Sequence, residues 1–317
     1  MVIKGALTFP GDKSISHRAL MFAALADGES RISNLSTGAD VQSTRECLEA
    51  CGIEIKDDGN DVVVKGEQFS DPTKPLDCGN SGTTTRLLLG LLAGQGINAT
   101  LVGDDSLSSR PMNRILDPLS QMGLISESND GKLPITIHKS NMTGIHYESP
   151  VASAQIKSAV FLAALGASGK TSFKEPILSR DHTEKMLHGL GANISIDGLT
   201  ATISNLTSPL SNFEISVPGD PSTAAFFAAS AALVPNSEIV LNRVLANPLR
   251  TGLFAALERM GAGMECLDQW DEAGELIGNL KICHQSLKGI IIDENDVPGL
   301  IDELPIIAIL ATQANGR

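Results

Sequence analysis

Basic residues are scarce in this chain. Its 317 residues contain 24 Lys and Arg against 37 Asp and Glu, which gives a formal net charge of −13. Nucleic acids and anionic membranes bind basic surfaces, so neither is expected as a partner. An anionic small molecule could bind only where local clusters of Lys and Arg act against the negative field of the whole chain.

Cysteines and long apolar runs are scarce as well. The cysteines are odd in number and lack CxxC spacing, which favours reduced thiols that bind no metal in a cytosolic protein. They are Cys47, Cys51, Cys78, Cys266 and Cys283. No apolar run approaches the roughly 20 residues of a membrane helix. The first residues, MVIKGALTF, are too short and too strand-like for a signal peptide, so we expect a cytoplasmic protein.

Apolar residues are abundant, and they are arranged in a repeat. The hydrophobic fraction is 42%, enough for a large core, and the length suggests about two domains. A polar stretch of small residues followed by about ten mostly apolar residues recurs at intervals of roughly 65 to 80 residues. These stretches begin at Gly11, Gly79, Ser153, Gly219 and Gly299. Such a long period indicates repeated supersecondary units.

Each repeat contains the same predicted elements. After the apolar helix comes a short β-like run, then an amphipathic helix that ends at Gly, as in DVQSTRECLEACGI, and then two alternating strands. The first helix is apolar nearly all round and should be buried on every side, whereas the second should lie at the surface. We predict an α/β (α+β) fold of repeated βαβαββ units, with parallel buried helices whose N-termini point the same way.

Two Pro-Gly-Asp sequences indicate the domain boundaries. They lie in FPGDKS at Phe9–Ser14 and in VPGDPS at Val217–Ser222, and Pro and Gly beside a helix start break regular structure. We predict a three-unit domain at residues 10–217 and a second domain made of residues 1–9 and 218–317. The second domain is expected to be incomplete, because it holds one full unit and only the first helix of the next.

The chain contains seven motifs in a fixed order: GDKSISHRA, GNSGTTTR, SSRPM, SAQIKSA, SRDHTEKM, GDPSTAA and DELPI. In this order and approximate spacing, the chain resembles the 5-enolpyruvylshikimate-3-phosphate synthase family over essentially its whole length. The resemblance implies the two-domain enolpyruvyl transferase fold, an inside-out α/β barrel with three units in each domain. It also implies a C-terminally truncated sequence, and therefore little or no activity for these 317 residues alone.

The resemblance further implies a reaction and its partners. The family transfers the enolpyruvyl group of phosphoenolpyruvate to the 5-hydroxyl of shikimate-3-phosphate and releases phosphate, in the pathway to chorismate and aromatic amino acids. The implied partners are these two small molecules, without metal or organic cofactor, and the implied full-length state is a monomer. Two alternatives stay open: an inactive fragment that only binds shikimate-3-phosphate, and a transferase of the UDP-N-acetylglucosamine type, which lacks the GDKSxSxR start.

The densest polar cluster precedes the first apolar helix, in GDKSISHRALMFAAL at residues 11–25. Helix N-termini offer unpaired N–H groups to anions. Arg adds bidentate recognition and Lys adds a compact charge. Arg18 lies within the apolar run, where an unpaired charge costs several kcal/mol, so an anionic partner is the economical explanation. By the resemblance, Lys13 contacts both substrates, and Ser14 and Arg18 bind shikimate-3-phosphate.

The other site residues are implied by the resemblance alone. Those for shikimate-3-phosphate are Ser153, Ala154, Gln155, Ser179, Arg180 and Asp302. Those for phosphoenolpyruvate, besides Lys13, are Gly82, Arg110 and Gln155. Asp302 is implied to accept the proton of the 5-hydroxyl, so Asp302 and Lys13 are the predicted catalytic residues.

Several residues near these motifs also have purely structural interpretations. By sequence alone Asp302 is an N-cap aspartate and Glu303 a charge of the first helical turn. Asp181 and Glu184 fit a capping pattern in the same way. Arg86 can be interpreted either as a core-facing residue in a salt bridge or as a substrate contact. Lys157 can be interpreted as a cation that lies beside the site without contacting a substrate.

Overall fold

The computed structural model describes residues 2–294 and 296–316. Its contacts divide the chain into two compact units. We call Lys13–Ser216 the large unit, and Met1–Asp12 with Val217–Arg317 the small unit. Both units are built from one folding pattern.

The large unit alternates strands and helices along its whole length. Its helices are α1 (Lys13–Ala24), α2 (Ala39–Ala50), α3 (Gly82–Gln95), α4 (Asp105–Ser108), α5 (Asn113–Gln121), α6 (Ala154–Gly166) and α7 (His182–Gly189). Its strands are β2 (Ala26–Ser33), β3 (Glu54–Asp58), β4 (Asp61–Gly66), β5 (Leu76–Asp77), β6 (Ala99–Val102), β7 (Ile125–Asn129), β8 (Lys132–His138), β9 (His146–Glu148), β10 (Lys170–Lys174), β11 (Ile194–Asp197), β12 (Thr200–Ser204), β13 (Leu210–Ser211) and β14 (Glu214–Ser216).

The small unit contains the N-terminal strand and the elements after residue 217. Its strands are β1 (Lys4–Leu7), β15 (Glu238–Leu245), β16 (Gly263–Glu272) and β17 (Glu275–Cys283). Its helices are α8 (Pro221–Leu233), α9 (Gly252–Arg259), α10 (Val297–Leu300) and α11 (Leu304–Ala311).

The four sheets formed by the described residues have the same strand order. In β5-β6-β8-β7 the first strand pairs in parallel with the second, and the later pairings are antiparallel. The sheets β9-β10-β12-β11 and β1-β15-β17-β16 repeat this order, and β13 and β14 supply the parallel neighbour of β2 in the remaining sheet. Parallel neighbours need a helical crossover, whereas antiparallel neighbours can form hairpins. The predicted βαβαββ unit is confirmed.

The first helices of the large unit are buried as predicted. Residues 15–24 of α1 and residues 156–165 of α6 are buried throughout. Two glycines allow α3 and α6 to approach closely. A Cβ at Gly90 would lie 2.0 Å from the carbonyl oxygen of Ala159, and one at Gly94 would lie 2.8 Å from that of Leu162. Any larger residue would separate the two backbones.

The same prediction of all-round burial is wrong for α8 and α11. Phe226 is 64% exposed and Phe227 42% exposed on α8, and Ile309 is 57% exposed on α11. The described part of the small unit contains one sheet, so fewer elements cover these helices than in the large unit with its three sheets. Apolar sequence alone does not report how many neighbours a helix has.

Candidate active site

The N-terminal ends of the large unit's helices carry most of the predicted site residues. Lys13 is the first residue of α1, and its side chain is 51% exposed. Its Nζ lies 3.2 Å from Oδ2 of Asp40, in the first turn of α2. An exposed ion pair of this kind contributes about 0–1 kcal/mol, so Lys13 can exchange Asp40 for an anionic ligand at little cost.

Arg18 is buried one turn further along α1. Its Nε donates to Thr183 Oγ1 at 2.8 Å, and its Nη2 donates to Ser158 Oγ at 2.6 Å. Its Nη1 donates to the carbonyl oxygen of Ser14 at 2.9 Å. These neutral oxygens satisfy donors of the guanidinium without neutralising its charge, and they tie α1 to α6 and α7.

His17 joins α1 to the two helices that follow. Its Nδ1 lies 2.7 Å from Thr44 Oγ1, which lies 2.7 Å from Thr84 Oγ1. Burial lowers the pKa of His17 to about 3, and the charges of Arg18 and Lys13 act in the same direction. His17 therefore stays neutral near pH 7 and serves as a hydrogen-bonding link between α1, α2 and α3.

Gln155 connects α6 to α3. Its Oε1 accepts a hydrogen bond from Arg86 Nη1 at 2.5 Å, and its Nε2 donates to Thr83 Oγ1 at 3.0 Å. Ser158 lies 2.7 Å from Thr183 and completes the circuit through α7. Side-chain hydrogen bonds thus link the N-terminal halves of α1, α2, α3, α6 and α7 in a closed ring.

Three arginines gather beside the N-terminus of α3. Burial lowers the pKa of Arg86, and the charges of Arg110 and Arg114 lower it further. Arg110 Nη2 donates to Asn80 Oδ1 at 2.9 Å. A Cβ at Gly82 would lie 2.9 Å from Arg86 Nη1 and 3.5 Å from Arg110 Nη1. Mutually repelling cations at a helix N-terminus favour an anion-binding site.

Sequence reasoning left Arg86 open and missed Arg114 altogether. The structure places Arg86 against Gln155, so it is not a remote core residue. Arg114 lies four residues after Arg110, at the start of α5, where an exposed arginine is ordinary. The only sequence signal was this spacing within RPMNR.

Ser179 and Arg180 lie in the turn before α7, beside a buried ion triad. Lys157 Nζ lies 2.7 Å from Glu175 Oε1 and 2.6 Å from Glu184 Oε1, and all three side chains are 3% exposed. Ser179 donates to Glu175 through its hydroxyl at 2.6 Å and through its backbone N–H at 3.1 Å. The triad fixes the turn to α6.

The capping interpretation of Asp181 and Glu184 is right about their positions at the start of α7 but wrong about the capping hydrogen bond of Asp181. Asp181 occupies the N-cap position of α7 but makes no capping hydrogen bond, and its carboxylate lies 3.4 Å from Lys185 Nζ. The Glu184 carboxylate pairs with Lys157 Nζ and also accepts from its own backbone N–H in the first turn of α7. Burial raises the pKa of Glu184, while Lys157 acts in the opposite direction.

Asp302 lies in the small unit, exposed in the turn before α11. Its interpretation as an N-cap is wrong, because Pro305 falls in the first turn of α11 and places Glu303 at the N-cap. Glu303 is not a charge of the first helical turn either, because it is the N-cap residue. Its carboxylate is buried, accepts a hydrogen bond from Ser222 and lies 3.4 Å from Arg250 Nη1.

Arg250 is the centre of a carboxylate cluster that sequence reasoning missed. Its Nη2 lies 3.4 Å from Asp220 Oδ1 and 3.7 Å from Asp12 Oδ2, in addition to the contact with Glu303. Burial acts to lower the pKa of Arg250, but Asp12 and the other carboxylates raise it overall. Burial and the neighbouring Asp12 raise the pKa of Asp220. Because Asp220 also caps α8 through the N–H groups of Ser222 and Thr223, this helix N-terminus is occupied by the chain itself.

The fold is that of the enolpyruvyl transferases. An enolpyruvyl transferase, NikO from Streptomyces tendae, superposes with a TM-score of 0.76 at 18% identity, over 99% of this chain and 74% of that one. The EPSP synthase of Acinetobacter baumannii superposes with a TM-score of 0.92 at 38% identity, over 99% of this chain and 72% of that one.

Sequence comparisons identify the family within this class. The family model for EPSP synthase (3-phosphoshikimate 1-carboxyvinyltransferase) matches residues 2–317. The enzymes named 3-phosphoshikimate 1-carboxyvinyltransferase from Bacillus cytotoxicus and Geobacillus thermodenitrificans are 47% and 48% identical over 99% of this chain, covering 75% and 74% of their own lengths. The chain belongs to the EPSP synthase family. Its reaction is transfer of the enolpyruvyl group from phosphoenolpyruvate to shikimate-3-phosphate, in aromatic amino acid biosynthesis.

Proposed function

We propose that the hydrogen-bonded ring of helix N-termini in the large unit binds both substrates. Shikimate-3-phosphate contacts Lys13, Ser14, Arg18, Ser153, Ala154, Gln155, Ser179 and Arg180. Phosphoenolpyruvate contacts Lys13, Gly82, Arg110 and Gln155. The observation that carries the proposal is the convergence of five helix N-termini and three arginines in a chain whose net charge is −13.

The chemistry of the substrates matches these groups. Each substrate carries a phosphate and a carboxylate, so four anionic groups must be held together. Helix N–H groups and guanidinium groups stabilise such anions. An anion beside Arg86 and Arg110 would also relieve the repulsion that lowers the pKa of Arg86. From the resemblance we further propose that Asp302 accepts the proton of the 5-hydroxyl as that oxygen attacks the enolpyruvyl carbon.

Lys13 suits a role in both halves of an addition–elimination reaction. Its ammonium group is exposed and pairs with Asp40, so it can turn from this carboxylate to a substrate oxygen. A compact ammonium can stabilise the charge of a tetrahedral intermediate and also donate a proton. Arg18 cannot replace it as a proton donor, because a guanidinium group keeps its charge in proteins. The hydrogen bonds of Arg18 to Ser14, Ser158 and Thr183 use three of the five N–H donors of a guanidinium group.

A coupled phosphate-release assay tests the proposal. The 317-residue chain is incubated with both substrates, with and without a separately supplied C-terminal segment from a relative. We expect substrate-dependent phosphate release in at least one arm. Tight binding of shikimate-3-phosphate without release in either arm would support the alternative, a fragment that only binds this substrate.

Arg18→Ala should weaken binding of shikimate-3-phosphate by about 10- to 100-fold and binding of phosphoenolpyruvate by less. A hydrogen bond to a charged group contributes about 1.5–3 kcal/mol, and each 1.4 kcal/mol is tenfold in affinity. Titration calorimetry with each substrate measures both constants. Arg45→Ala is the control, because Arg45 pairs with Glu49 and Asp57 outside the ring. Equal losses for the two substrates would show a general electrostatic role.

Gly82→Ala should weaken binding of phosphoenolpyruvate by about tenfold while the protein stays folded. The new methyl group would displace the Arg86 guanidinium, which is 2.9 Å from the built Cβ position, and would disturb its bond to Gln155. The displaced atom is the end of a flexible side chain, so folding should tolerate the change. Gly38→Ala is the control, because a Cβ there meets only Ser36 Oγ at 3.6 Å. Unchanged affinity in the Gly82 variant would contradict the assignment.

Location and assembly are further proposals from the resemblance. None of the helices described for residues 2–294 and 296–316 has the length and apolar character needed to cross a bilayer. We propose a cytoplasmic protein, in keeping with its biosynthetic reaction and its reduced cysteines, and a monomer as the full-length state.

A further inference from the structure

Glu175 receives three hydrogen bonds in the buried ion triad. It directly follows β10, and its Oε1 accepts from Lys157 Nζ at 2.7 Å and from the backbone N–H of Ser179 at 3.1 Å. Its Oε2 accepts from the Ser179 hydroxyl at 2.6 Å. The two oxygens therefore face different groups, and only Oε2 faces a hydroxyl.

This arrangement uses both hydrogen-bond donors of Ser179. Serine has one backbone N–H and one hydroxyl proton, and Glu175 accepts both. A phosphate oxygen is an acceptor and needs a donor from the protein. Toward any other neighbour, the Ser179 hydroxyl can offer only its lone pairs until its proton turns away from Glu175.

We propose that Glu175 sets the affinity for shikimate-3-phosphate by holding the hydroxyl proton of Ser179. The proposal rests on the proposed function, in which residues 175–181, here called the phosphate turn, contact the phosphate of that substrate. Glu175 is then a positioning residue that acts through Ser179 and touches no substrate. When the substrate binds, the Ser179 hydroxyl must give up its hydrogen bond to the Glu175 carboxylate in order to donate to the phosphate. The lost bond offsets part of the binding free energy that the new bond contributes.

Lys157 makes this idea testable by fixing the orientation of residue 175. Burial lowers the pKa of Lys157, but Glu184 and Glu175 raise it overall, so the ammonium group stays charged. Two donors face Oε1, so a glutamine at position 175 must place its amide oxygen there. Its NH₂ group then occupies the position of Oε2 and donates to Ser179 Oγ. The hydroxyl proton becomes available to a phosphate.

Glu175→Gln should therefore bind shikimate-3-phosphate about tenfold more tightly, equivalent to about 1.4 kcal/mol. Binding of shikimate, which lacks the phosphate, should not change. Titration calorimetry of the 317-residue chain with both ligands gives the ratio of the two dissociation constants, which isolates the phosphate contribution. Circular dichroism confirms that each variant is folded.

Two comparisons separate the hydrogen bond from the change in charge. Glu184→Gln replaces the other carboxylate that pairs with Lys157 and does not change the contact with Ser179. Both ligands meet the same change in charge, so the ratio should stay within about twofold of the parent. Ser179→Ala removes the hydroxyl, and in that background Glu175→Gln should lose its gain. A gain of equal size with and without the hydroxyl, or no gain at all, would overturn the proposal.

Arg180→Gln distinguishes this failure from failure of the proposed function. A lower phosphate contribution in Arg180→Gln with no gain in Glu175→Gln would overturn only the role of Glu175. An unchanged contribution in Arg180→Gln would show that the phosphate lies elsewhere, and both proposals would fall. If Glu175→Gln does not fold, Ser179→Ala alone tests the proposal. We then expect Ser179→Ala to weaken binding of shikimate-3-phosphate by less than about threefold, and a tenfold weaker affinity contradicts the proposal.

Discussion

Lys13→Met should lower turnover by at least about 100-fold and leave the folding stability unchanged. Lys13 is proposed to contact both substrates, and each charge-assisted hydrogen bond contributes about 1.5–3 kcal/mol. Two such contacts amount to about 3 kcal/mol or more, which exceeds a factor of 100. Stability should not change, because the ion pair with Asp40 is exposed. Phosphate release, measured in the arm of the coupled assay in which the parent is active, gives the first effect, and thermal unfolding gives the second.

Lys174→Met is a closely matched control for this variant. Lys174 Nζ also lies 3.2 Å from one carboxylate, that of Glu148, and its side chain is 49% exposed compared with 51% for Lys13. It is the last residue of β10, and its partner Glu148 is the last residue of β9, so this ion pair joins two strands and no helix. We expect the turnover of Lys174→Met to match that of the parent. If Lys13→Met also turned over like the parent, Lys13 would not be a catalytic residue.

Arg250→Met should destabilise the small unit by about 3–5 kcal/mol. Removing one partner of a buried ion cluster leaves the others uncompensated. Here Asp12, Asp220 and Glu303 would lose the guanidinium that lies within 3.7 Å of each. The only tryptophan of the chain, Trp270, lies on β16 in the small unit, so its fluorescence during urea unfolding reports on this unit.

Arg259→Met is the control for Arg250→Met. Arg259 pairs with Asp296 at 2.8 Å, but its side chain is 43% exposed, so the loss should stay below about 1 kcal/mol. A similarly small loss of stability in Arg250→Met would contradict the prediction. It would mean that the three carboxylates either take up protons or become hydrated when the guanidinium is removed.

The repeat made most of the fold predictable from the sequence. Apolar helices, amphipathic helices such as DVQSTRECLEACGI and alternating strands each carry a local period, and the structure places them in the predicted βαβαββ order. Burial was less predictable. The sequence of α8 is as apolar as that of α6, yet Phe226 is exposed, because exposure depends on which distant elements pack against a helix.

The candidate site was predictable only where residues lie in motifs. Lys13, Arg18 and Gln155 belong to such motifs, and the structure joins their helices by hydrogen bonds. Glu175 and Arg250 themselves lie outside the seven motifs, and the partners of Arg250 (Asp12, Asp220 and Glu303) are distant from it in sequence, so no spacing could identify either residue. Helix α11 starts one residue later than the N-cap interpretation of Asp302 predicts, with Pro305 in its first turn and Glu303 at the N-cap.

A crystal structure of the chain with bound shikimate-3-phosphate tests the central claim most directly. We predict that the phosphate lies within hydrogen-bonding distance of the phosphate turn at Ser179 and Arg180. The remainder of the ligand should contact Lys13, Arg18 and Gln155 at the N-termini of α1 and α6. Electron density for the ligand at any other place on the large unit, with these helix N-termini vacant, would contradict the account.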